Sequence, residues 1–108
     1  MNNGAQEAIM QTITAMKIAG YYGLDSQLDI CQEELAELIQ AISKYKRGDD
    51  SYIIEEIADV EIMLTQIKYL IGLNNRDPEI LDKINWFKER KLNRQLARME
   101  IEEEEKNE

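Results

Sequence analysis

Apolar residues recur at spacings of three and four along this chain, and its β-branched residues are mostly isoleucines held inside that helical period. Four helices are predicted. The first spans about Ala5 to Lys17 and stops near Gly20, before the turn-like Tyr21-Tyr22-Gly23-Leu24-Asp25. The second starts after Asp25 or Ser26, where Ser26 and Asp29 stand three apart as in a capping box. It runs to about Lys46 and ends at a basic last turn followed by Gly48. Asp50 or Ser51 caps the third, which reaches Gly72. Asp77-Pro78-Glu79 opens the fourth with a cap, a proline at the first helical position and an acid in the first turn. That helix runs to around Met99, and residues 100–108 read as an acidic, frayed tail. Short connections make successive helices antiparallel neighbours, so the expected fold is an all-α four-helix bundle within one domain, residues 1–99.

Turning the pattern at about 100° per residue places side chains on faces. Cys31, Leu35, Leu38, Ile42 and Tyr45 define the apolar face of the second helix. Ile53, Ile57, Val60, Leu64, Ile67 and Ile71 define that of the third, and Ile9, Ile13 and Met16 fill a seam on the first. Glu34 and Glu37 follow one margin of the second helix, while Glu56 and Asp59 follow the same margin of the third. Glu33 and Glu55 turn toward solvent. Packed side by side, the two helices bring four carboxylates to one cleft. A plain solvated acidic face would carry bases three or four residues away. Here Leu38, Ala41, Val60 and Met63 stand four residues on instead. Crowded carboxylates without bases raise one another's pKa and oppose folding, and a hard divalent cation removes that penalty.

Composition narrows the chemistry. The 108 residues carry 22 acids against 13 bases, a formal charge of −9, which disfavours a nucleic acid polymer as partner. With 44% hydrophobic residues the chain should fold. There is no histidine, which excludes Ser-His and Cys-His nucleophile systems and histidine-based zinc sites. Carboxylate, hydroxyl, amine and guanidinium remain, a set suited to Mg²⁺ or Mn²⁺ and to phosphate. The lone Cys31 precludes an internal disulfide and fits a reducing cytoplasm, with Cys31 itself a small packing residue. No apolar run approaches the roughly 18 residues of a membrane span, and the N-terminus lacks the order of a signal peptide.

Glu33-Glu34-Leu35-Ala36-Glu37 followed on the next helix by Glu56-Ile57-Ala58-Asp59 resembles the E-E-x-x-E and E-x-x-D signature of the all-α nucleoside triphosphate pyrophosphohydrolases. That superfamily includes the MazG-like enzymes, dimeric dUTPases and phosphoribosyl-ATP pyrophosphohydrolase, and this chain is most similar to the short MazG-like form. The resemblance implies Mg²⁺-dependent hydrolysis of the α–β phosphate bond, giving a nucleoside monophosphate and pyrophosphate, by a homodimer or homotetramer. It implies Glu34, Glu37, Glu56 and Asp59 as metal ligands, with Glu37 or Glu33 orienting or deprotonating the attacking water. Lys91, Arg94 and Arg98 form one stripe on the fourth helix, where similar families place phosphate-binding cations; a solvated basic face is the competing reading. Tyr21 and Tyr22, before the metal-bearing helix, are candidates to stack on the base, whereas Trp86 and Phe87 read as core or interface. Two alternatives stand beside this expectation: a phosphoribosyl-ATP pyrophosphohydrolase-like enzyme, and a non-enzymatic helical oligomerisation module.

Overall fold

The computed structural model describes residues 3–74 and 77–107, which form four α-helices and no strand. These are α1 (Asn3–Tyr22), α2 (Leu24–Lys46), α3 (Ile53–Asn74) and α4 (Ile80–Lys106). The chain divides into two compact units, Met1–Asp77 and Pro78–Glu108. No helix of the described residues is long and apolar enough to cross a membrane.

In the first unit α1 and α2 are separated by a single residue. Gly23 adopts φ 86°, a left-handed conformation that an L side chain tolerates poorly, and its N–H donates to the Ala19 carbonyl at 2.9 Å. Its own carbonyl then accepts from Gln27 N–H at 3.1 Å and starts α2. Ser26 therefore lies inside the helix, and the expected Ser26–Asp29 capping box is replaced by a glycine N-cap with no side-chain cap bond. The other end of α2 matches the sequence signal. Gly48, at φ 95°, donates to Tyr45 O, and Asp49 N–H reaches Lys44 O at 2.9 Å, which is a Schellman ending. Asp49 Oδ1 then accepts from Ser51 N–H at 3.0 Å. Lys44 Nζ sits 4.3 Å from the centre of the Tyr52 ring, tying the end of α2 to the entry of α3.

Cys31, Met63 and Ile67 form the buried cluster of the first unit, with Leu24, Ile30 and Ile71 against it. Early α2 thus meets late α3, and later α2 meets early α3 at the carboxylates described below, so the pair is antiparallel. The seam is not the one the large apolar residues mark out. On α2 it runs through Gln27, Cys31, Glu34, Leu38 and Ala41, and on α3 through Glu56, Val60, Met63, Ile67 and Leu70. Leu35, Ile42 and Tyr45 on α2 and Ile57 and Leu64 on α3 are exposed. Each helix is turned by roughly 50° from the expected setting. The small Cys31 and Ala41 explain the turn, because they let the backbones approach where leucine would hold them apart. The same correction applies to α1. Its buried residues are Ala15 and Ala19, and Ile9, Ile13 and Met16 lie exposed.

The second unit is the helix α4, which has no buried residue. Ile80 follows a glutamate N-cap, Glu79, with no side-chain cap bond. The helix continues past Met99 to Lys106, so residues 100–106 are helical rather than frayed. Glutamate is a good helix former, and Arg98, Glu102 and Lys106 alternate in sign at i, i+4 spacing. Arg90 stacks over the Trp86 ring at 4.6 Å, and Trp86 meets Phe87 edge to face at 4.9 Å.

Candidate metal centre

The antiparallel α2–α3 seam carries Glu34 and Glu56 inward on two facing helices. Both are half-buried, as is Asp59. They therefore stand on the seam itself rather than along its margin. One carboxylate oxygen from each of Glu34, Glu56 and Asp59 lies within 4.8 Å of the other two. Glu34 Oε2 and Glu56 Oε2 are buried and accept no hydrogen bond. Glu37, one turn along α2 from Glu34, is exposed, and its carboxylate lies near enough to those of Glu34 and Glu56 to act on both. Glu33 and Glu55 are exposed.

The electrostatics follow from that placement. Burial raises the Glu34 pKa above its ordinary 4.5, and the carboxylates of Glu37, Asp59 and Glu56 raise it further. Burial likewise raises that of Glu56, followed by Glu37 and Asp59, with Glu55 adding to the same effect. No base contributes to either shift. Two orphaned acceptor oxygens among mutually repelling carboxylates fit a hard divalent cation, which takes all-oxygen ligands.

The remaining predicted residues fall elsewhere. Tyr21 and Tyr22 lie in the last turn of α1 rather than in a loop. They stack edge to face at 4.9 Å and are 80% and 56% exposed. Lys91, Arg94 and Arg98 are exposed along α4, in the second unit. A feature that the sequence reading missed is a groove of about 720 Å³ between α1 and α3, walled by Met10, Ile18 and Ile62, with Gln66 among its lining residues. Among the described residues of this unit the buried polar ones are Gln27 and Gln66, and the carbonyl oxygen of Gln27 has no hydrogen-bond partner. Their polarity hid them, because both occupy positions that an apolar pattern skips.

No family model, curated protein or solved structure matches the chain.

Proposed function

We propose that this chain is a Mg²⁺- or Mn²⁺-dependent nucleoside triphosphate pyrophosphohydrolase of the all-α, MazG-like type, acting in the cytoplasm as a homodimer or homotetramer. The observation that carries the reading is the convergence of Glu34, Glu56 and Asp59 within 4.8 Å across two helices, with two carboxylate oxygens orphaned. The exposed apolar residues of α1, α2 and α3 support self-association.

Glu34, Glu56 and Asp59 would hold the ion, with Glu37 completing the set. When bound, a divalent ion neutralises phosphate charge and acidifies water. Glu37 lies one turn from Glu34 and is open to solvent, so its carboxylate would take the proton of the attacking water, with Glu33 next in line. The water oxygen joins one phosphorus of the α–β anhydride, and the bridging oxygen leaves with the other. Lys91, Arg94 and Arg98 are the chain's candidates for countering the charge on the phosphates. The α2–α3 seam holds Glu34 and Glu56 in fixed register, so little reorganisation accompanies the reaction.

Pyrophosphate release tests this directly. The panel comprises the common ribo- and deoxyribonucleoside triphosphates and phosphoribosyl-ATP, each with and without Mg²⁺. Release should require the metal and vanish in Glu37→Gln while helicity by circular dichroism persists. The substrate that turns over separates the general from the phosphoribosyl-ATP enzyme, and no release from any substrate overturns the proposal. The exposed apolar stripes also favour a second reading, the non-enzymatic oligomerisation module, which predicts no metal response and no effect of Glu37→Gln beyond charge.

A further inference from the structure

We propose that the groove between α1 and α3 is a nucleobase site read by Gln66; only its assignment to the substrate's own base rests on the hydrolase reading above. Gln66 is 3% exposed, and what remains of its surface lines this groove. Among the described residues nothing hydrogen-bonds its side-chain amide. The hydroxyls nearby are already committed: Thr12 donates to the Ala8 carbonyl at 3.0 Å, and Thr65 to the Glu61 carbonyl at 3.1 Å. Gln66 thus offers the groove an adjacent donor and acceptor, held by packing on every other side.

The walls suit a flat heteroaromatic ring. Met10, Ile18 and Ile62 give apolar surface for its faces, while the Gln66 amide matches a base edge that carries a neighbouring donor and acceptor. The volume of about 720 Å³ falls in the range of small-molecule sites. Position along α3 supplies an independent argument. Asp59 and Gln66 are seven residues apart, two turns along one side of the helix, so Gln66 joins the groove to the side of α3 that carries the carboxylates. A nucleotide is elongated in the same sense, anionic at one end and a flat ring at the other. The exposed Tyr21 and Tyr22 are thereby relieved of the base-binding role.

Titration of the full chain with phosphate-free adenosine, guanosine, cytidine and uridine, without Mg²⁺, tests the site. The readouts are the NMR signals of the Gln66 side-chain amide and of the methyl groups of Met10, Ile18 and Ile62. At least one nucleoside should shift these signals saturably. Gln66→Met should weaken its binding by roughly tenfold or more, the discrimination of a lost amide–base pair. Ile62→Glu, at a half-exposed wall position that spares the core, should abolish it and serves if Gln66→Met does not fold. If none of the four nucleosides shifts Gln66, or both variants bind like the wild type, the proposal is overturned. Because these ligands carry no phosphate, the result is independent of pyrophosphate release, so either reading can fail without the other.

Discussion

Glu34→Gln should raise the melting temperature of the metal-free protein and remove most of the rise that Mg²⁺ brings. The Glu34 and Asp59 carboxylate oxygens stand within 4.8 Å. Two like charges at that distance, in a water-like dielectric, repel by ~0.9 kcal/mol. A change of 1 kcal/mol moves the melting temperature of a domain near this size by about 4–8 °C. Relief of this one repulsion therefore gives a rise of roughly 4 °C in low-salt buffer containing a chelator. Mg²⁺ should stabilise the wild type far more than the variant. A hundredfold excess over the dissociation constant stabilises the wild type by ~2.7 kcal/mol. In Glu34→Gln one of three converging anionic ligands is gone, so the gain should fall to a fraction of that figure. Differential scanning calorimetry of both proteins, with chelator and with Mg²⁺, reads all four quantities. The reasoning fails if the variant melts below the wild type in chelator, or if Mg²⁺ shifts both proteins equally.

The raised pKa values of Glu34 and Glu56 give a pH dependence of definite sign. Between the unfolded value of 4.5 and the higher folded value the folded chain binds more protons than the unfolded one, so stability falls as pH rises through that window. Melting of the metal-free protein from pH 4 to 7 should show the fall in the wild type and a shallower one in Glu34→Gln. Leu70→Ala removes a side chain that is 2% exposed and should cost about 2–5 kcal/mol in chemical denaturation, whereas Ile54→Ala, 79% exposed, should cost far less. Gln27→Met removes a buried carbonyl oxygen that has no partner while keeping an unbranched chain, and should stabilise by about 1 kcal/mol in the same assay.

The elements were legible in the sequence because their signals are local. Gly48 and the basic turn before it end α2 as expected, and the 3–4 apolar period places all four helices. The phase of those helices was not legible. Pattern reading weighs large side chains, and Leu35, Ile42, Ile57 and Leu64 are the large ones. The seam instead follows small residues, Cys31 and Ala41, and accepts Glu34 and Glu56 between them. Only the facing helix decides that choice, and it is remote in sequence. Glu34, Glu56 and Asp59 still converge because both helices turned by about the same amount, whereas Glu37 stands exposed outside that group. Gln66 gave no signal at all, since a lone glutamine in a helix is ordinarily a surface residue.

The cluster draws its oxygens from two helices running in opposite directions, and that fixes how the pair can move. Sliding α2 past α3 by one helical turn, about 5.4 Å, would carry Glu34 out of reach of Glu56 and Asp59 together. An ion caught among them would behave as a lock pin for the hairpin, resisting shear along its length while leaving its bending free.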